Sequence, residues 1–318
     1  MLYFPANSVR MIVKAVTLPA DAVIFDLEDA VSLADKETGR IFARDYINLI
    51  KLRGISTFER VNSLTTGLTT EDLESTVVKG LDGIIFPKTE TGSDVTELSR
   101  ILDRVEKRRG LAPKSIRLIP LIESAKGVVN SLQIASSSRR IIAVAFGSGD
   151  YYRDLGRDVS TASENAIELL YARSTIVNTS RAAGVQAIDT PYLGSLTDKE
   201  AFTREVKLAV QLGFKGKQCI HPSQIETVNS LFSPTQEEIA RAGRIVEAFK
   251  QSKGVGVISF EGRMADIMTY HQATETLAAA QSIEDKTKNT NKVSYAGLPE
   301  IFSQQTHPPT RRQQRRLR

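Results

Sequence analysis

The sequence predicts an α/β fold, a (β/α)8 TIM barrel with a C-terminal helical lid extension, from three observations. Eight short runs of aliphatic, β-branched and aromatic residues recur over roughly the first 220 residues, their starts about 20 to 45 residues apart, the length of one strand, one helix and two loops. The runs are mostly apolar along their length, as expected of strands buried on both faces. Most of them end in a charged or polar residue, which puts chemistry on one edge of a parallel sheet.

In order, the runs are Leu2–Phe4, Ala22–Phe25, Ser56–Val61, Gly83–Pro87, Ile116–Ile122, Ile141–Gly147, Val185–Thr190 and Gly216–Ile220. Helices fit between them. Thr70–Lys79 follows the cap signals Thr69 and Thr70, Gly92–Arg109 is amphipathic, and Ser163–Ala183 keeps apolar residues at helical spacing. Eight such units favour a closed barrel over an open doubly wound sheet, with residues 1–232 as the catalytic domain. Beyond it, Pro234–Lys250 reads as a helix, Gly254 and Gly256 break the pattern, VISFEGRMAD follows, and a further helix runs from about Ile267 to Ser282. Residues 233–284 are thus a helical appendage beyond a complete barrel. Residues 285–318 are polar, with Pro308–Pro309 and an arginine cluster, and read as a disordered basic tail.

The 318 residues, 41% hydrophobic, are enough for one full core. The net charge of +5 comes from Arg311, Arg312, Arg315, Arg316 and Arg318; the other 37 basic residues balance 37 acidic ones. A neutral body without aromatic-interleaved basic stretches argues against nucleic-acid binding. Cys219 is the single cysteine, so no internal disulfide forms, and its setting in KQCI marks a small core residue. No apolar stretch reaches the length of a membrane span, and LYF before Pro5 is too short for a signal peptide, so a cytoplasmic enzyme is expected.

The strand exits carry the candidate chemistry. Glu123 ends IRLIPLI and Asp150 follows IIAVAFG, on neighbouring strands about 5 Å apart, so both carboxylates can reach one cation. One or two carboxylates with room for water and substrate oxygens suit magnesium, whereas the scattered His and Cys do not make a zinc set. The same two acids could instead cap the helices that follow. Asp26, Glu28 and Asp29 (DLED) could orient a basic residue or be an exposed acidic turn. Arg60 could grip a substrate carboxylate or pair with those acids. Lys88 reads as an ion-pair partner, and Asp189 ends VQAI. His221-Pro222 could be a base or a turn, His271 and His307 are not catalytic candidates, and Asp266 reads by itself as an acid at a helix start.

Together, DLEDAV with Lys36 and Arg40, ERVNS, GIIFPKTE, LIPLIESAKGVVN, AFGSGDYYRDLG, CIHPSQI and GRMAD resemble, in order and spacing, the citrate lyase β-subunit-like proteins of the HpcH/HpaI aldolase superfamily, over residues 2–282. The resemblance implies a Mg2+-dependent carbon–carbon lyase that cleaves a citryl-, malyl- or citramalyl-type CoA thioester into an acyl-CoA and a 2-oxo acid or glyoxylate. It implies Glu123 and Asp150 as metal ligands, Arg60 on the oxo acid, and Asp266 as the acid/base of a lid that reaches a neighbouring subunit. It further implies Asp26, Glu28, Asp29 and Lys88 as supporting residues, Asn7, Arg10 and Lys14 near the CoA, and a homo-oligomer, a trimer or a multiple of one. The chain departs from the pattern in lacking Arg-Ser before its first strand and in Arg263, Ala265 and Met268 of the lid motif. Two other readings stand beside it: a CoA-independent class II pyruvate aldolase, and a non-catalytic subunit or scaffold barrel.

Overall fold

The computed structural model describes residues 1–163, 166–252 and 256–292. Eight parallel strands lie side by side in chain order: β1 Leu2–Pro5, β2 Ala22–Asp26, β3 Ser56–Arg60, β4 Gly83–Phe86, β5 Arg117–Ile122, β6 Ala143–Phe146, β7 Gln186–Asp189 and β8 Gly216–Lys217. The sheet curls until its edges meet. Leu2 bridges Cys219 in parallel, Tyr3 N–H donates to Cys219 O at 2.9 Å, and Cys219 N–H donates to Met1 O at 2.8 Å.

Alternation along the strands creates two cores. Ala22, Ile24, Phe58, Ile85, Ile119, Leu121, Ala143, Ala145 and Ile188 form the inner cluster, with Tyr3 packed against it. Val23, Phe25, Ile84, Phe86, Val144 and Phe146 join the larger outer cluster beneath the helices. The helix Gly92–Arg109 shows how sequence sets an element. Thr91 and Asp94 form a capping box, Val95, Leu98, Ile101, Leu102 and Val105 are buried, and Gly110 stops it in the left-handed region at φ 66°.

Several predicted bounds shift. The helix expected over Thr70–Lys79 is Thr69–Thr76, and that expected over Ser163–Ala183 is Leu170–Ala182. The last strand is two residues long rather than Gly216–Ile220, because Gln218 onward turns to meet β1. The VISFEGRMAD segment is a hairpin, β9 Val257–Phe260 and β10 Arg263–Asp266, turned at Glu261 (φ 52°) and Gly262 (φ 77°), two positive-φ residues that match the strand twist. The hairpin packs with the helices Gln236–Gln251 and Ile267–Lys292 around Ala242, Ile245, Phe249, Ala265 and Ala273.

The terminal helix, expected to end near Ser282, continues to Lys292, so residues 285–292 of the predicted tail are helical, and Lys286 there bonds Asp21. The rest of that tail, and the Gly254 of the predicted break, lie outside the described residues. Among the described residues no helix is long and apolar enough to cross a membrane.

Candidate active site

At the C-terminal edge of the sheet, strand parity decides which polar residues meet. Asp26 and Arg60 are register partners at the ends of β2 and β3, both on the inner-facing parity of Ile24 and Phe58. Arg60 donates through Nε and Nη2 to the two oxygens of Asp26 at 2.7 and 2.6 Å. Its Nη1 lies 3.1 Å from Glu28 and 3.6 Å from Asp29. The DLED acids therefore orient Arg60, and the arginine is a DLED partner that also lines the cavity. Burial opposes its charge, but Asp26 outweighs that and holds the guanidinium well above its ordinary pKa. Asp29 differs from the other two acids in being 64% exposed.

Lys88 follows β4 in the left-handed region, φ 49°, an uncommon place for a residue with a side chain. That conformation aims its N–H at Glu123 Oε1, 2.7 Å away, while its ammonium reaches Glu28 Oε1 at 2.6 Å and Asp150 Oδ2 at 3.7 Å. Burial works against the Lys88 charge, but the Glu28 hydrogen bond and charge keep its pKa raised. Burial raises the Glu28 carboxyl, against the pull of Arg60.

Glu123, 6% exposed, follows β5 on the parity of Ile119 and Leu121. It does not cap the next helix, since Ser124 does, accepting from Gly127 N–H. Burial, reinforced by Glu28 and Asp150, pushes its carboxyl up to about 8, and the Lys88 N–H bond pulls the other way. Asp150 lies in the first turn of the helix Ser148–Asp154, whose N-cap Gly147 makes no side-chain cap, and its Oδ1 forms an ion pair with Arg153 Nη1 at 2.9 Å. Gly147 N–H donates to Ile122 O at 2.9 Å, so the two strand exits abut. A Cβ on Gly147 would stand 2.8 Å from Glu123 Oε2, so glycine keeps this cradle open.

Asp26, Asp29, Arg60, Glu123, Gly147 and Asp150 line a cavity of about 500 Å³, with Tyr3, Leu121, Val159, Pro191, Leu193, Gln218 and Ile220 among its other walls. Its acidic walls are Asp26, Asp29, Glu123 and Asp150 and its basic ones Arg60 and Arg153, so acids outnumber bases. A buried carboxyl forced towards neutrality beside further acids, in a cradle free of side chains, fits one divalent cation held by Glu123 and Asp150.

Other predicted residues fall elsewhere. Asn7 lies in the turn after β1 and Arg10 and Lys14 on the exposed side of the helix Val9–Ala15; none of the three lines the cavity. Asp266, the expected acid/base, caps the helix Ile267–Lys292 in this chain. Its Oδ1 accepts from the Thr269 N–H and hydroxyl, both at 2.9 Å, and the N–H bond first among these holds its carboxyl low. His221 accepts from Ser223 N–H and begins a short turn, the structural one of its two readings. Asp189 has the opposite parity to Ile188 and is fully buried among the helices, gripped by Arg173 at 2.8 and 3.0 Å and by Lys217 at 2.7 Å. Tyr3, Gly147 and Gln218 were not among the predicted residues. The alternation of β1, β6 and β8 was the signal that places them inside.

The sequence matches the HpcH/HpaI aldolase/citrate lyase family over residues 1–222. It is 37% identical over 284 residues to the citrate lyase subunit beta of Haemophilus influenzae, covering 89% of this chain and 96% of that protein. It is 32% identical over 298 residues to the mitochondrial citramalyl-CoA lyase of Homo sapiens, covering 90% and 86%. Among solved structures it is similar to CitE of Mycobacterium tuberculosis in complex with magnesium, acetoacetate and coenzyme A, with a TM-score of 0.70, 30% identity, and 88% and 97% of the two chains covered.

Proposed function

The chain belongs to the HpcH/HpaI aldolase/citrate lyase family and is a lyase, and we propose that it cleaves a citryl-, malyl- or citramalyl-type hydroxyacyl-CoA, with Mg2+, into an acyl-CoA and a 2-oxo acid or glyoxylate. The observation that carries this reading is the buried Glu123 beside the partly exposed Asp150, set on one cavity with Arg60, where acids outnumber bases and a divalent ion would offset them. The magnesium in the M. tuberculosis relative supports the same assignment. We take the edge bonds between β1 and the residues after β8 as closing a (β/α)8 barrel, whose C-terminal face is where such enzymes act.

Glu123 and Asp150 would hold the ion, whose chemistry is to acidify the substrate hydroxyl and polarise the carbonyl that forms from it. Arg60, fixed in its plane by Asp26, turns its outer edge to the carboxylate of the 2-oxo acid and stabilises the charge that develops there. Lys88 spaces the acids, one bond to Glu123 and one to Glu28. Leu121, Val159, Leu193 and Ile220 make the walls apolar and limit water at the thioester enolate. Asn7, Arg10 and Lys14, beside the rim on the first loop and helix, would meet the CoA.

Asp266 would supply or accept the proton at the enolate carbon. Its place on a separate subdomain, beside the exposed Met264, Ile267 and Met268, supports action in a neighbouring copy and hence an oligomer, a trimer or a multiple of one. A panel of hydroxyacyl-CoA thioesters, scored by release of the 2-oxo acid with and without Mg2+, tests the proposal. No release from any thioester, with acetyl-CoA binding also absent by calorimetry, would overturn it in favour of a CoA-independent aldolase or a non-catalytic barrel.

A further inference from the structure

We propose that Tyr3 and Gln218 form a positioning brace for Arg60 and thereby set the affinity of the site for the 2-oxo acid; this rests on the reading of Arg60 as that acid's binding group. Both residues line the cavity, at the seam where β1 meets the segment after β8. The Arg60 guanidinium carbon lies 5.1 Å from the centre of the Tyr3 ring, so the cation packs on an aromatic face. At the far end of that ring the Tyr3 hydroxyl donates to Gln218 Oε1 at 2.8 Å. The Gln218 amide is itself fixed, its Nε2 donating to Phe146 O at 2.8 Å and Asp189 O at 3.1 Å. Gln218 is 2% exposed, so these bonds are not shared with bulk water.

The two grips on Arg60 are complementary. Asp26, with Glu28 and Asp29 beside Nη1, holds the guanidinium by its edges, which sets where its N–H groups point but leaves its faces uncovered and the plane open to swing. The Tyr3 ring closes one side of that swing, and the hydroxyl–amide bond stops the ring from moving with it. Gln218 in turn ties this ring to the carbonyls at the ends of β6 and β7, so the arginine is referenced to the side of the sheet that carries Gly147 and Asp150. A side chain that must meet a carboxylate with two hydrogen bonds needs this orientation, whereas acyl-CoA binding does not call on it.

The test uses the full chain with Mg2+, pyruvate and glyoxylate as calorimetric probes of the oxo-acid site, and acetyl-CoA as the control ligand. Tyr3→Phe keeps the ring and removes one hydroxyl; Gln218→Met keeps the volume and removes the amide. Each is expected to weaken oxo-acid binding about five- to tenfold, the value of one buried hydrogen bond, with acetyl-CoA affinity unchanged. The double variant is expected to lose no more than the worse single one, because both remove the same bond. Because Tyr3→Phe deletes a single oxygen, it stays interpretable if Gln218→Met lowers the melting temperature. Unchanged oxo-acid affinity in a folded Tyr3→Phe protein, or equal losses for oxo acid and acetyl-CoA, overturns the brace while leaving the proposed function intact. Failure of the unmodified protein to bind either oxo acid with Mg2+ overturns both.

Discussion

Glu59 and Arg60 are adjacent in sequence and face opposite ways. Arg60 turns into the cavity, while Glu59 is fully buried beneath the helices, and among the described residues neither of its oxygens has a hydrogen-bond partner. The Thr76 hydroxyl beside it donates to Asp72 O instead. Burial raises the Glu59 carboxyl well above its ordinary 4.5. The folded chain therefore keeps a proton that the unfolded chain releases. The stabilisation is complete below about 4.5 and is lost progressively as pH rises towards the folded-state pKa. Glu59→Val should raise the melting temperature at pH 8 by about 2–6 °C and flatten its decline between pH 5 and 8, as thermal scans across that range would measure. An unchanged slope in the variant would show that Glu59 is not the group responsible. At the site, Glu123→Ala and Asp150→Ala should each abolish Mg2+-dependent turnover while near-native circular dichroism is kept, because both lie past the ends of their strands. Turnover near that of the unmodified protein in either variant would remove it from the metal pair.

At the scale of elements, two short connections bear on the proposed function. The exit of β6 must pass Glu123 without a side chain, and Gly147 provides that passage. Gly147→Ala should cut turnover on the order of 100-fold, since even a small displacement of Glu123 misplaces the group it holds. Equal turnover with alanine would mean that Glu123 can move without consequence. In the lid, Asp266 has a visible structural duty as the cap of the last helix, so a loss of activity in Asp266→Ala alone could reflect a frayed helix. Asp266→Ser separates the two roles, because serine caps helices well but is no carboxylic acid. Asp266→Ser should retain the melting temperature that Asp266→Ala loses, and both should be inactive. An active Asp266→Ser enzyme would leave the residue a cap only.

For the whole molecule, the C-terminal hairpin and helices pack around a small core of their own, apart from the inner cluster of the strands, an arrangement that suits the proposal that one copy serves the next. Mixing inactive Asp266→Ala with inactive Glu123→Ala protein should restore part of the activity where subunits exchange. No recovery after demonstrated exchange would confine Asp266 to its own chain. Truncation after Lys292 should leave turnover within about twofold, because the described lid core and the bond of Lys286 to Asp21 are then retained. A large loss would give residues 293–318 a role in the working enzyme.

The sequence by itself determined the order of strands and helices and the acids at the strand exits, because hydrophobic periodicity and cap residues are local properties of the chain. It could not choose between paired readings of those exits. Whether Glu123 caps a helix or faces a cavity, and whether Arg60 serves a substrate or the DLED acids, depends on neighbours brought from distant parts of the chain. Tertiary structure decided them through strand parity and register. Asp26 meets Arg60 because β2 and β3 pair in register, and Asp189 is lost to a buried ion cluster because it lies one residue out of phase with Ile188. Tyr3 and Gln218, which stand 215 residues apart, come together because the first and last strands meet. No local pattern encodes that meeting; it is a property of the curled sheet as a whole.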